Sequence, residues 1–253
     1  MWMRNETMRR FIGGNKIARA MTFGLQSSLQ MRLLSGHKKQ TTLQRLRDAA
    51  RSADSLLSSD EAFTLHELAN AQAALPGAMA EFGVYRGASA ALICAVKGDR
   101  PLHLFDTFAG LPEATDREVS VFEAGQFRGT LPQVEKLLAG YNNVHFHSGF
   151  FPETTVGLEN LRFSFVHLDV DLYDATLEGL KFFYPRMVSG GIILTHDHSI
   201  IDGVSRAFSE FLSDKPERVI EMPTTQAMLI RHAHDESAAK TWPTMVSAEE
   251  EAA

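Results

Sequence analysis

The sequence predicts an α/β fold: a doubly wound, seven-stranded, mostly parallel sheet with an N-terminal helical extension. Three observations carry that reading. From residue 78 onward short apolar runs alternate with helical segments, the pattern of parallel strands covered on both faces. Polar residues recur at one place, the C-terminal end, of successive apolar runs. The last two runs, "RVIEMP" and "QAMLIRH", are joined by a short turn, which makes the final pair antiparallel.

The elements follow in order. "TTLQRLRDAARSADSLL" has Thr41 or Thr42 as N-cap and leucines at helical spacing. "SSDEAFTLHELANAQAAL" opens on a Ser-Asp-Glu capping signature and stops before Pro76-Gly77. "AMAEFGV" is a strand and "ASAALICAVK" a helix, followed by the strand "PLHLFDTF". The polar stretch 110–130 is a long loop of the kind that carries function in a compact domain. "LPQVEKLLAGY" is a helix, and "NVHFHSGFF" and "FSFVHLDVD" are strands. "ATLEGLKFFYPRM" is a helix capped by Asp174 and ended by Pro185. "GGIILTHDH" is a strand and "GVSRAFSEFLS" the last helix. The tail from His234 is polar and reads as loose.

Composition narrows the function classes. The chain has 253 residues, 44% of them apolar and 22% charged, as in a globular protein. No apolar run approaches the roughly 20 residues of a membrane span. The lone Cys94 cannot form an intrachain disulfide and sits in "SAALICAV" as a core residue, which fits a reducing, cytoplasmic compartment. Charge is uneven: residues 1–51 hold 11 of the 25 Lys and Arg but only Glu6 and Asp48 among the 31 acids. Such a basic arm on an acidic body docks on the body or on a second subunit. The less favoured readings are peripheral contact with an anionic membrane or nucleic acid, or a targeting peptide.

Two constellations carry chemistry. "EFGVYRG" places Gly83 and Gly87 after a strand, where the backbone can approach a ligand closely. The spacing is not Gly-x-Gly-x-x-Gly, and Tyr85-Arg86 crowd the place of a pyrophosphate. Asp106, at the next strand's end, can accept ribose hydroxyls, and Glu81 can serve an amino-acid tail indirectly. A ribose plus a zwitterionic tail points to S-adenosylmethionine. The second constellation joins Asp169 and Asp171 of "LDVDLYDAT" to His196, Asp197 and His198 of "THDHS". These are candidates for a divalent metal, Mg²⁺ or a softer ion such as Mn²⁺, with His196 or His198 as ligand or base. His103, His145 and His147 alternate within strands and read as structural.

"EFGVYRG", "FDTFAGLP", "HSGFFPET", "LDVDLYDAT", "YPRMVSGGIILTHD" and "GVSRAFSEF" together resemble the macrocin O-methyltransferase type (TylF/MycF-like) over about residues 60–232. These are Rossmann-like class I S-adenosylmethionine-dependent methyltransferases. The resemblance implies a seven-stranded sheet with a reversed last strand. It places Glu81, Gly83, Tyr85 and Gly87 on the cofactor turn. Asp106 takes the ribose, Thr107 and Phe108 continue that loop, and Ser148-Gly149 lie near the adenine. Asp169 matches the first metal-binding aspartate and Asp197 the second of a paired Asp-Asp. The chain departs where the family's sugar methylators carry Asp-Asp-Tyr: here it has His196-Asp197-His198, so one ligand carboxylate is replaced by His196. The resemblance also implies homo-oligomers built through N-terminal helices.

The organisation read from this is a basic helical extension over 1–59, a catalytic domain over 60–233 and a flexible tail over 234–253. The leading reading is O-methylation of a small hydroxylated molecule such as a sugar or glycosylated metabolite, catalysed by Asp169 with His196 or His198 and assisted by a metal at Asp169, His196 and Asp197. The alternatives are a metal-dependent glycosyltransferase using Asp169-Val-Asp171, a nicotinamide-linked oxidoreductase, and a non-catalytic methyltransferase-like binding protein.

Overall fold

The computed structural model describes residues 16–113, 115 and 122–232, with side chains from residue 24 onward. The first 15 residues of the basic arm, part of the long loop and the tail lie outside them. Three helices come first: α1 (Lys16–Ser35), α2 (Gln40–Ser52) and α3 (Ser59–Gln72). The sheet and its crossovers follow as β1 (Ala78–Phe82), α4 (Ala88–Cys94), β2 (Leu102–Asp106), α5 (Leu131–Leu138), β3 (Val144–Ser148), β4 (Phe163–Leu168), α6 (Tyr173–Phe183), β5 (Met187–Thr195), α7 (Asp202–Phe211), β6 (Ile220–Glu221) and β7 (Ala227–Ile230).

The seven strands pair in the order β3-β2-β1-β4-β5-β7-β6. All pairs from β3 to β5 are parallel, while β7 is antiparallel to both β5 and β6. The predicted seven-stranded sheet with a reversed last strand is therefore what forms. The central strands are wholly buried, which explains why "AMAEF" and "FSFVHL" read as continuous runs rather than alternating ones.

Alternation reappears in the packing. Leu102, Leu104 and Phe165 face a core shared with Leu46, Leu65 and Ile93 of α2, α3 and α4. Phe82, Phe105, Phe163 and Val166 face the opposite core, with Leu180 and Phe183 of α6 and Phe208 of α7. That second core is largely aromatic; Phe82 and Phe151 stack at 4.3 Å between centroids. Cys94 is buried in the first core, and burial pushes its thiol up to about 12.

Three boundaries differ from the sequence reading. Helix α2 begins at Gln40 with Lys39 as N-cap, so Thr41 and Thr42 lie inside its first turn. The strand β5 begins at Met187, before the glycines, because Gly190 adopts φ +79° and lets the strand continue through an irregularity. Helix α6 begins at Tyr173 with Leu172 as N-cap, so Asp174 lies inside the first turn, where its carboxylate accepts the Thr115 hydroxyl at 2.6 Å.

Candidate active site

The strand order reverses between β1 and β4, so the loops leaving these neighbours turn to opposite faces and open a crevice at their C-terminal ends. A cleft lies there, enclosing about 970 Å³ of non-atom space with its mouth included. Of the residues singled out from the sequence, Gly83, Tyr85, Asp106, Thr107, Gly149, Asp169 and Asp171 line it.

The turn after β1 is held by two devices. At Gly83 φ is +91°, and a Cβ there would overlap the Asp169 carbonyl oxygen. Only glycine lets the ends of β1 and β4 approach this closely. Asp106 is the second device. Its Oδ2 accepts the Val84 and Tyr85 N–H groups at 2.7 and 2.9 Å, and its Oδ1 accepts the Phe108 N–H at 2.7 Å. Tyr85 and Phe108 sit at φ 52° and 53°, a conformation disfavoured for side-chain-bearing residues that this carboxylate helps to fix. Thr107 locks the next turn by donating its hydroxyl to the Gly110 carbonyl at 2.9 Å.

Other candidates stand further back. Glu81 is fully buried and outside the cleft lining; its Oε1 lies 2.8 Å from His167 Nδ1 on the neighbouring strand. Burial pushes its carboxyl up, opposed by the His167 contact. Gly87 is the N-cap of α4 at φ +85°, and its missing Cβ makes room for Val134 of α5. Phe108 is buried in the first core. Ser148 is exposed at the end of β3, and the adjacent Gly149 donates its N–H to the Asp106 carbonyl at 3.0 Å.

The lining has a uniform sign. Asp54, Asp106, Asp169 and Asp171 contribute carboxylates, and among the described residues no Lys, Arg or His lines the cleft. The rest of the wall is mostly apolar, with Leu56, Leu57, Phe127, Phe150 and Phe151. Sequence reasoning missed the segment 54–57 between α2 and α3. Its Asp54 reaches the glycine turn, 3.0 Å from Arg86 and 3.4 Å from the Tyr85 hydroxyl. No local signal marks it, since its position depends on how α2 and α3 pack.

Below the cleft Asp169, His196 and Asp197 do come together. His196 Nδ1 lies 3.3 Å from carboxylate oxygens of both Asp169 and Asp197. Its Nε2 faces Glu61 Oε2 of α3 at 3.6 Å. Glu61 was legible only as the capping-box acid. It does cap α3, accepting the Ser58 N–H at 2.9 Å, and it also accepts the Thr225 hydroxyl at 2.7 Å. Burial alone would favour neutral His196, but Asp197, Asp169 and Glu61 outweigh it and raise its pKa well above the usual histidine range. Burial likewise opposes charge on Asp169 and Glu61, and in both the His196 charge and contacts win, holding them below the usual carboxylate range.

This arrangement does not fit the expected metal. Among the described residues no three His, Cys, Asp or Glu side chains are arranged to hold an ion. The imidazole nitrogen that would ligate is turned onto the two aspartates that would be its fellow ligands. His198 goes elsewhere: it packs edge-on against Phe208 at 5.7 Å, with Nδ1 3.8 Å from Glu221, and does not line the cleft.

Comparison with known proteins agrees with this architecture. Relatives include an 8-demethyl-8-(2,3-dimethoxy-alpha-L-rhamnosyl)-tetracenomycin-C 4'-O-methyltransferase of Streptomyces olivaceus, 34% identical over 142 residues, 50% of this chain and 54% of that protein. A mycinamicin III 3''-O-methyltransferase of Micromonospora griseorubida is 28% identical over 144 residues, 50% of this chain and 57% of that protein. The chain thus spans little more than half the length of these relatives. Among solved structures, the O-methyltransferase NovP superposes with a TM-score of 0.63 at 18% identity, over 71% of this chain and 82% of its own. A Bacillus cereus O-methyltransferase in complex with SAH gives 0.56 at 14% identity, over 83% of this chain and 100% of its own. At such identities these two show the fold, that of class I Rossmann-like O-methyltransferases. A family model described as macrocin-O-methyltransferase (TylF) matches residues 6–227, and with most of its length inside that match the chain belongs to this family.

Proposed function

We propose that this protein is an S-adenosylmethionine-dependent O-methyltransferase acting on a hydroxyl of a sugar or glycosylated small molecule. The observation that carries the reading is the cleft at the β1/β4 reversal, lined by four aspartates and, among the described residues, by no Lys, Arg or His. S-adenosylmethionine carries an ammonium, a sulfonium and one carboxylate, a net positive charge that suits an acidic lining. A pyrophosphate or nucleotide sugar brings negative charge and does not. That sign argues against the nicotinamide and glycosyltransferase alternatives.

When bound, the cofactor supplies an electrophilic methyl group. The turn Gly83–Tyr85 and the Asp106–Phe108 loop would hold it, with Gly149 beyond. The Asp106 carboxylate already accepts three N–H groups, so it acts on a ligand chiefly by keeping the turn in shape. Asp169 faces the cleft as a carboxylate oriented by His196. It would accept the acceptor hydroxyl's hydrogen bond, aim an oxygen lone pair, and take the proton as the C–O bond forms and the methyl–sulfur bond breaks, the thioether leaving as S-adenosylhomocysteine. The apolar wall of Phe127, Phe150 and Phe151 keeps water from competing.

The names of the tetracenomycin and mycinamicin relatives support a glycosidic hydroxyl as acceptor. Among the described residues no helix is long and apolar enough to cross a membrane, and the single buried Cys94 supports a cytoplasmic setting. The exposed Leu25, Leu29 and Leu33 of α1 support self-association through the N-terminal region. Titration calorimetry tests the cofactor assignment directly. S-adenosylhomocysteine should bind one per chain, while NAD and a UDP-sugar give no heat. Binding of the UDP-sugar alone would sink the proposal.

A further inference from the structure

We propose that the His196 imidazole takes up the place where a divalent metal would bridge the strand-end aspartates, so that the protein neither binds nor draws on such an ion. The inference rests on the methyl-transfer reading for its purpose, but its test does not.

The case is geometric. Three carboxylates from three elements converge on one imidazole: Glu61 from α3, Asp169 after β4 and Asp197 after β5. An ionised carboxylate can only accept hydrogen bonds. Nδ1 points at two of these groups, which can only accept, and so serves them as an N–H donor, while Nε2 lies buried 3.6 Å from the third, beyond hydrogen-bond distance. A ring nitrogen that donates to carboxylates offers no lone pair to a metal. The ring also occupies the space between Asp169 and Asp197, 3.3 Å from each.

The surroundings keep the ring in place. The side chain is only 9% exposed. The His196 backbone N–H donates to the Leu168 carbonyl at 2.9 Å, which ties the two strand ends together beneath the ring. Asp197 holds φ 55°, a left-handed conformation that aspartate tolerates better than most residues. Glu61 is anchored by the Ser58 N–H and the Thr225 hydroxyl, so the third side of the cage is also fixed. His196 does not line the cleft and meets it at Asp169, and it is therefore a positioning residue.

The test uses the whole chain, with Mn²⁺ followed by electron paramagnetic resonance and calorimetry, and S-adenosylhomocysteine binding measured alongside. Wild-type protein should leave the free Mn²⁺ signal unchanged. His196→Asp should restore a three-carboxylate set, quench the signal at one ion per chain, and show a melting temperature that rises with Mn²⁺. If the added charge prevents folding without metal, His196→Asp with Glu61→Gln removes one crowding carboxylate and should bind the ion. Stoichiometric Mn²⁺ binding by wild type, abolished by Asp169→Asn, overturns the proposal. So does a folded His196→Asp protein that still ignores the ion. Failure to bind S-adenosylhomocysteine would instead sink the methyltransferase reading and leave the metal result legible.

Discussion

At Asp106 a single carboxylate satisfies three backbone N–H groups in two consecutive turns. Replacing it with alanine leaves those donors without their partner, at a cost of about 2–4 kcal/mol. Chemical denaturation of Asp106→Ala should show that loss, together with S-adenosylhomocysteine affinity reduced at least about tenfold as the turn loosens. Wild-type stability with lost affinity would mean that the carboxylate serves the ligand alone. Gly83→Ala should be worse, since the added methyl overlaps backbone that cannot swing away. Its unfolding midpoint should drop sharply, and an unchanged midpoint would contradict the close approach of β1 and β4. Both residues were legible because glycine and aspartate at strand ends have few reasons to be there. Glu61 was not legible. Its capping role is local and shows in "SSDE", whereas its place beside His196 and Thr225 depends on contacts with residues far along the chain, 164 positions away for Thr225.

Among the elements, the edge pair β2 and β3 carries a pH dependence. His103 and His147 share a 2.9 Å contact, and the His103 ring stacks on His145 at 4.8 Å. Burial, with the neighbouring His147 and His145, lowers the His103 pKa from 6.5 to about 4. The folded protein therefore holds His103 neutral where the unfolded chain would protonate it. Stability tied to this group is present above pH ~6.5, falls as pH drops toward 4, and levels off below, for a loss of up to about 3 kcal/mol. Urea melts from pH 7 to 4 should show His103→Gln with a flatter slope than wild type, and equal slopes would exclude His103 as the source. The alternation of His103, His145 and His147 made a structural role readable, because a period of two puts them on one face. The start of β5 was less readable, since the run Ser189, Gly190, Gly191 has the composition of a turn. Only the neighbouring strand shows that the backbone passes through it still paired.

Across the whole molecule, the doubly wound, mostly parallel sheet and the placing of the site at its strand ends followed from the sequence because crossover helices and strand-end polar residues obey general rules. What the N-terminal helices pack against did not, since amphipathic patterns name a face and not its partner. Helix α1 shows the problem. Its inner face docks on α3, where the Ser27 and Ser59 hydroxyls meet at 2.7 Å and Leu34 is buried. The opposite face presents Leu25, Leu29 and Leu33, at 75%, 58% and 65% exposure, one helical turn apart. A regular row of three leucines left in water costs several kcal/mol relative to burial, at about 1.5–3 kcal/mol for each side chain. A second copy of the chain, offering the same row, would remove that cost with no other partner needed. Light scattering should therefore give a dimer or larger assembly for the wild type and a monomer for the triple variant Leu25→Gln, Leu29→Gln, Leu33→Gln. S-adenosylhomocysteine affinity should be unchanged, because the row faces away from α3 and none of the three leucines lines the cleft. A wild-type monomer at the highest soluble concentration would remove self-association through α1.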